Sequence, residues 1–240
     1  MRERGKSPRA PSEVVVMGYV RYLGHAAFEI FLSGKRVLVD PWLTNPLSPV
    51  KPGELTGVDI IVVTHDHGDH VGEAAEILKR NPGCRLVAVY ETAERIGREA
   101  RSGQAIGANI GGTVKLGEVE VVLVPAVHSS STGSPAGAVI IGREGAVYHA
   151  GDTGLTMDMK LVGELYSPRV ALLPIGGHFT MGPREAAKAV ELIQPEIAVP
   201  MHYGTFPVLW GKPEEFKRLV EERGLRTRVV VLKPGEKLEL

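Results

Sequence analysis

Short runs of apolar residues separated by polar turns dominate the chain and predict many short strands. The run at 59–63 is apolar from its second residue onward, as is typical of a strand covered on both faces. Glycine, proline, asparagine and serine bound many of these runs. The predicted strands are 18–23, 27–32, 36–39, 59–63, 85–90, 119–124, 137–141, 146–148, 170–174, 197–199, 227–232 and 237–240.

Apolar positions at helical spacing predict helices between groups of these strands. Val71, Ala74 and Leu78 fall on one face of a helix that stops at 81–83, an Asn-Pro-Gly sequence. The glycine-rich stretch 103–112 predicts a loop instead. The predicted helices are 71–80, 91–101, 157–165, 183–192 and 213–223.

The order of these elements predicts one α/β (α+β) domain. Strands outnumber helices, so sheets need helical cover on their outer faces. Residues 1–16 are mostly polar, contain two prolines and predict a disordered tail. No linker divides 17–240, which we predict to be a single domain, and 240 residues is a usual length for one.

Charge changes the expected partners. The chain has 28 basic and 28 acidic residues, so its formal net charge is zero. This balance removes the usual electrostatic reason to expect nucleic acid or an anionic membrane. No apolar run approaches the roughly 20 residues that span a bilayer. We therefore expect a small-molecule substrate, no nucleic-acid partner and no membrane, and leave homo-oligomerisation open.

Two compositional features bear on compartment and source. Cys84 is the single cysteine and cannot form an internal disulfide, and the N-terminus has no apolar signal-peptide core. Both favour a cytoplasmic protein. Asparagine and glutamine together number only five. Scarcity of these thermolabile amides favours a thermophilic source.

The segment 64–71, Thr-His-Asp-His-Gly-Asp-His-Val, carries the candidate chemistry. It follows the apolar strand 59–63. Side chains at i and i+2 of extended backbone point the same way, so His65 and His67 can reach one cation. Asp69 and His70 follow on the predicted turn into the next helix. Burying so many polar groups is costly unless they are paired or bind metal, and a metal site is therefore expected.

This HxHxDH segment resembles the metal-binding signature of the metallo-β-lactamase superfamily. The remaining parts of that signature follow the family's order at Asp40, His128, Asp152 and His202. The resemblance covers about 18–240 and implies a four-layer αββα sandwich. Within the superfamily, the chain is most similar to compact metal-dependent hydrolases, a group that includes ascorbate-6-phosphate lactonase. The segments that carry this likeness are 22–28, 39–42, 148–153 and 174–182.

The resemblance also implies a dinuclear ligand set. His65, His67 and His128 would bind one divalent ion. Asp69, His70 and His202 would bind the other, and Asp152 would bridge the two. Imidazole and carboxylate donors without a thiolate suit zinc, while manganese, iron and nickel stay open.

The implied reaction is hydrolysis of a small ester, lactone or phosphodiester by a bridging hydroxide. Asp69 is then also a candidate catalytic base. His178, on a glycine-flanked loop, is a candidate to bind substrate or protonate the leaving group; the alternative is a surface histidine. Cys84 lies outside every motif, which disfavours the best-known β-lactamases, whose second metal has a cysteine ligand.

Three further residues are candidates to support the ligands. Asp40 is expected to orient a ligand histidine or the motif loop; the alternative is a carboxylate that caps a turn. His25 and His149 are expected to buttress the ligands, although a histidine with ordinary structural hydrogen bonds is an equal alternative. Two other functions stay open: an RNA or DNA phosphodiesterase, and a metal-binding module without catalysis.

Overall fold

Two seven-stranded sheets form the centre of the computed structural model, which describes residues 17–240. In spatial order, the first sheet contains β14 (Lys237–Glu239), β1 (Tyr19–Tyr22), β2 (Phe28–Leu32), β3 (Lys35–Val39), β4 (Ile60–Val62), β5 (Arg85–Val89) and β6 (Ala105–Ala108). The second contains β13 (Arg228–Val229), β12 (Ile197–Met201), β11 (Val170–Pro174), β10 (Gly145–His149), β9 (Ala136–Gly142), β8 (Val119–Pro125) and β7 (Thr113–Leu116). The predicted tail 1–16 lies outside the described residues.

Helices cover the outer face of each sheet. Those on the first sheet are α1 (Gly68–Val71), α2 (Ala74–Arg80) and α3 (Tyr90–Ala100), and those on the second are α4 (Asp158–Tyr166), α5 (Pro183–Ile193) and α6 (Pro213–Glu222). The layers therefore run helix, sheet, sheet, helix. This arrangement confirms the predicted α/β fold class and the αββα sandwich.

Successive residues of each strand face opposite sides of the sheet, so the apolar side chains form three layers, one between the sheets and one under the helices on each outer face. Val37 and Val39 of β3 belong to the core between the sheets, whereas Leu38 packs under the outer helices. On the second sheet, Val121 and Leu123 of β8 face the same central core. A period of two places apolar side chains on both faces of each sheet, so nearly every strand residue near the centre is buried.

The predicted helix 71–80 is wrong in its first part, because the segment forms two helices. Helix α1 begins at Gly68, and the chain breaks at Gly72 with φ +43° before α2. A Cβ at Gly72 would lie 2.4 Å from the carbonyl oxygen of Pro41. Close packing against that carbonyl, where only glycine fits, ends α1. Asp69 and His70 consequently lie on a helical turn rather than on a loop.

The prediction of a loop over 103–112 is also wrong in part. Ala105–Ala108 forms β6, the edge strand parallel to β5. Gly107 is atypical of a strand, so the sequence pattern favoured a loop. Glycine is required there because a Cβ would lie 2.6 Å from the ring of Tyr90. Strand β7 has no counterpart among the predicted elements. The predicted strand 227–232 shrinks to the two residues of β13.

Candidate metal centre

The carboxyl ends of strands from both sheets place the candidate ligands together. In the first sheet β3 and β4 are parallel, and in the second sheet β8, β10, β11 and β12 share one direction. Open α/β sheets bind ligands beyond the carboxyl ends of their strands. Asp40 follows β3, the 65–70 segment follows β4, and His128, Asp152 and His202 follow β8, β10 and β12. The chain thus brings all seven predicted ligands to one edge.

One group of donors contains His65, His67 and His128. A ring nitrogen of each lies within 4.8 Å of the others. His65 Nε2 and His67 Nδ1 are 2.9 Å apart, and the His128 ring is 5.1 Å from both other rings. This grouping is the same as the first predicted ligand set.

A second group contains Asp69, His70 and His202, together with His25. His70 Nε2 and His202 Nε2 each lie 4.0 Å from Asp69 Oδ2. The second predicted ligand set is therefore also assembled, and His25 is added to it.

Asp152 lies between the two groups. Its Oδ1 is 3.3 Å from His70 Nε2, while its Oδ2 is 3.0 Å from His202 Nε2 and 3.5 Å from His128 Nε2. The two oxygens therefore face donors of both groups, as a bridging role requires. Metal coordination by these residues stays a prediction.

Four buried atoms of this cluster have no hydrogen-bond partner among the described residues. They are His70 Nε2, Asp152 Oδ1 and both ring nitrogens of His202. Burying an unpaired polar group costs about 1–3 kcal/mol, so four at one point are anomalous for a packed core. Divalent ions would satisfy them, and the donors present fit such ions.

Asp40 supports the 64–70 segment through hydrogen bonds. It is fully buried, and its carboxylate accepts hydrogen bonds from the Thr64 amide at 2.8 Å and the Thr64 hydroxyl at 2.7 Å. His70 Nδ1 lies 2.7 Å from the same carboxylate. With Nδ1 engaged, His70 presents Nε2 to the donor cluster. This is the contact predicted for Asp40, while its effect on a metal stays a prediction.

His25 and His149 both have buried hydrogen bonds at the site. His25 Nδ1 lies 2.6 Å from the Thr205 hydroxyl, and its Nε2 lies 3.1 Å from Asp69 Oδ2. His149 Nε2 donates to the Ala26 carbonyl at 2.8 Å, and its Nδ1 accepts from the Gly151 amide at 3.1 Å. His149 therefore holds the turn that leads to Asp152 and has no nitrogen free for a metal.

Several of the candidate residues also have an unusual backbone conformation. His25, Asp40, His178 and His202 have φ of +54°, +47°, +53° and +57°. The left-handed region costs a residue with a Cβ roughly 1–2 kcal/mol. Strain of this kind concentrates at functional sites, and these four candidates are half of the eight described non-glycine residues with positive φ; the other four are Ser33, Arg101, Ser167 and Gln194.

Electrostatics favour the ligand forms of the side chains. Burial lowers the pKa of His65 to about 3 and that of His25 to about 4. Burial would raise the pKa of both Asp69 and Asp152. The hydrogen bond from His25 and the charge of His70 together outweigh burial at Asp69, and the charges of His70 and His202 outweigh it at Asp152, so both pKa values lie below their usual range. His70 differs, because the charges of Asp152 and Asp40 raise its pKa despite its burial, so a metal bound at Nε2 would have to displace a proton. Neutral imidazoles and ionised carboxylates are the forms that bind metal.

Sequence reasoning missed Asp66, the residue between the first two histidines of the motif. Its buried carboxylate accepts from the Ser130 and Thr132 hydroxyls at 2.9 and 2.8 Å, and from the Ser131 amide at 2.8 Å. Arg95 of α3 pairs with it at 3.1 Å. Asp66 therefore attaches the loop after His128 to the first sheet. The run of hydroxyl residues at 129–132 was the available signal.

The donor cluster opens into a cavity of about 710 Å³. The donors that reach its surface are His67, Asp69, His128, Asp152 and His202. His178 is absent from its lining: the side chain is exposed and packs edge-on against Phe179, which does line the cavity. A catalytic role for His178 stays a prediction.

Comparison with known sequences now decides the family. Residues 35–203 match the model of the β-lactamase superfamily domain, a span that contains every candidate ligand. The chain belongs to the β-lactamase superfamily. A metal-dependent hydrolase of Aeropyrum pernix is 60% identical over 237 residues, covering 93% of this chain and 98% of its own length. One from Thermofilum pendens is 60% identical over 230 residues, covering 93% and 99%.

Two solved structures show the same fold. A metallo hydrolase from the hyperthermophilic archaeon Ignicoccus hospitalis is 43% identical, with a TM-score of 0.86 over 94% of this chain and 99% of its own. Its source agrees with the amide-poor composition. An isothiocyanate hydrolase from Delia radicum gut bacteria is 18% identical, with a TM-score of 0.73 over 92% and 98%, and shows the fold alone. Within 17–240, no helix is both long and apolar enough to cross a membrane.

Proposed function

We propose that this member of the β-lactamase superfamily is a hydrolase that uses two divalent metal ions, zinc by the chemistry of its donors, to cleave a small ester, lactone or phosphodiester. The observation that carries the proposal is the set of seven converging donors with four buried atoms unpaired. Relatives that are 60% identical are named metal-dependent hydrolases, which supports it.

His65, His67 and His128 would hold one ion, Asp69, His70 and His202 the other, and Asp152 both. When bound, the ions would lower the pKa of water at the site toward neutrality and polarise the oxygen of the scissile group. The protein's own contribution is orientation. Asp40 fixes His70 through Nδ1, and Asp66 fixes the loop after His128.

Asp69 also has the position of a proton acceptor. Its side chain is 23% exposed and lines the cavity, and His25 holds its Oδ2 at 3.1 Å. Because its pKa lies below the usual range, Asp69 is ionised at neutral pH. It is then a weak base, and it would accept a proton only from water whose own pKa the bound ions have lowered. The lining of the cavity does not favour the alternative of a nucleic-acid phosphodiesterase, since within 17–240 no lysine or arginine contributes to it.

The test is to replace His67 and Asp152 separately by alanine and to measure bound metal and turnover. Each change removes a donor, so we expect substoichiometric metal and at least a hundredfold loss of hydrolysis over a panel of esters, lactones and phosphodiesters. Asp158→Ala is the matched control, because Asp158 begins α4 away from the cavity. Full metal and activity in both site variants would refute the proposal. No turnover by the fully loaded natural chain would favour a metal-binding module.

A further inference from the structure

The part of the cavity wall that does not consist of metal donors is almost entirely apolar. Trp42, Phe206, Phe179 and Val208 form it, and Ser129 contributes its one hydroxyl among the described residues. The volume of about 710 Å³ falls within the 300–1,000 Å³ typical of small-molecule sites. The cavity thus has a polar end at the donors and an apolar wall.

The inner part of this wall is preformed. The rings of Trp42 and Phe206 stack with centroids 5.7 Å apart and planes 17° apart. His25 meets both rings edge-on, at 5.1 Å from Trp42 and 5.4 Å from Phe206. Since His25 also contacts Asp69, the aromatic pair begins where the donor cluster ends. A substrate group attached to the scissile bond would therefore meet these rings first.

The outer part of the wall is exposed to solvent. Phe179 and Val208 have 52% and 44% of their surface exposed. Large apolar side chains grouped beside a cavity are typical of a binding surface. They extend the apolar wall from the Trp42–Phe206 pair to the cavity mouth.

The charge of the cavity lining argues against several classes of substrate. Within 17–240, no lysine or arginine lines the cavity. A phosphate monoester remote from the scissile bond needs such a cation, because charge-assisted hydrogen bonds repay the cost of removing it from water. Apart from the metal donors, the side chains of the lining offer carbon, the Ser129 hydroxyl and the Trp42 indole N–H, none of them charged. A second charge on the substrate would be left unpaired there.

We infer that the substrate has an apolar substituent, which packs against Trp42 and Phe206, and no charge outside its scissile group, as in a carboxylic ester or lactone, and that it is not a phosphorylated sugar lactone. This inference rests on the proposed hydrolase function and names its substrate class. Specificity then depends on side chains outside the ligand set.

The main experiment compares 4-nitrophenyl acetate, butanoate and hexanoate with the metal-loaded protein. Burying one methylene gains enough free energy for about a fourfold effect, so we expect kcat/KM to rise two- to fourfold per methylene. In Phe206→Ala and Trp42→Ala the rise falls below twofold per methylene. Phe179→Ala gives a smaller reduction, and its exposed position leaves folding unaffected. Leu165→Ala, an exposed apolar residue on α4, keeps the full rise.

A lactone pair tests charge directly. We expect γ-octalactone to be cleaved with at least tenfold higher kcat/KM than 6-phosphogluconolactone. Equal or higher activity on the phosphorylated lactone overturns the inference, as does a kcat/KM that is the same for all three esters.

Equilibrium binding separates this inference from the proposed function. The chain has two tryptophans, so Trp210→Phe leaves Trp42 as its one indole reporter. In that background we expect hexanoate to change the fluorescence of the metal-loaded protein at a concentration at least tenfold lower than acetate. Tighter hexanoate binding without hydrolysis of any ester or lactone overturns the hydrolase proposal alone. Hydrolysis with equal binding of the two acids overturns the substrate class alone.

Discussion

The two halves of the molecule contribute to the site in different ways. The first half, β1–β6 with α1–α3, supplies four of the seven donors from one continuous stretch, 65–70. The second half, β7–β13 with α4–α6, supplies His128, Asp152 and His202 from three separate loops. In the first half, Asp40 and Thr64 hold that stretch by hydrogen bonds. In the second half, both ring nitrogens of His202 and Oδ1 of Asp152 lack a hydrogen bond, whereas in the first half only His70 Nε2 does among the described residues.

This difference indicates which half of the fold a bound metal would stabilise. The first half orients its ligands mainly by protein contacts, such as the one between His70 Nδ1 and Asp40. The second half has loops whose inward-facing polar atoms lack protein partners, so a bound ion would take over that function. Metal should therefore stabilise the second half more than the first.

Removal of metal should have the largest effect on the thermal stability of the protein. A ligand present at 1,000 times its Kd stabilises by about 4 kcal/mol, which for a chain of this size corresponds to a fall in Tm of roughly 10 °C on chelation. Hydrogen exchange should speed up most at 126–133 and 202–206 and least at 60–64. Uniform acceleration over both halves would contradict the comparison.

Asp40→Asn should give the next largest effect. The amide keeps the size of the side chain but removes the charged acceptor of Thr64 and His70. Loss of such a supporting contact weakens metal binding by about 10–100-fold. Competition with a chromophoric chelator measures this. Asp59→Asn, at a carboxylate on the same sheet that pairs with Lys35, should leave metal affinity unchanged, and an Asp40 variant with natural affinity would remove its assigned role.

Asp66→Asn tests the contact between the halves. An amide oxygen cannot replace a carboxylate for all four donors, and unpaired buried groups cost about 1–3 kcal/mol. We expect Tm to fall by roughly 5 °C, with faster hydrogen exchange at 129–132. Asp158→Asn serves as the control. Unaltered exchange in that loop would show that Asp66 does not hold it.

Cys84 gives the smallest expected effect and reports on the first half. Burial raises the pKa of its thiol to about 12, so at pH 8 about one molecule in 10⁴ carries the reactive thiolate. Because Cys84 is also fully buried, alkylation requires local opening of the first half and should be slow. Chelation should leave the rate unchanged, because Cys84 packs among α2, α3 and the first sheet. Rapid labelling of the metal-free protein would show that the first half loosens too.

The same asymmetry explains what the sequence could predict. His65, His67 and His70 are evident from their local spacing, and the apolar runs predict most strands. His128, Asp152 and His202 were placed only through the family's motif order, since residues so far apart in the chain meet through sheet topology. Asp66 was missed because its partners in the loop after His128 lie more than 60 positions away. Gly72 and Gly107 misled the local prediction, because each is required by a distant contact.

Main-chain contacts between the halves also have a consequence for how the protein could be divided. The carbonyls of His25 and Thr64 accept from the amides of His202 and Ala136 at 2.8 and 3.0 Å. The chain returns to the first sheet between β13 and β14, and it crosses from the first sheet to the second between β6 and β7, around Gly111. A chain cut there would give two fragments, each with an incomplete donor set. When the two fragments are mixed, the amount of metal bound would then measure how many pairs have reassembled. This makes the fold a candidate for fragment complementation.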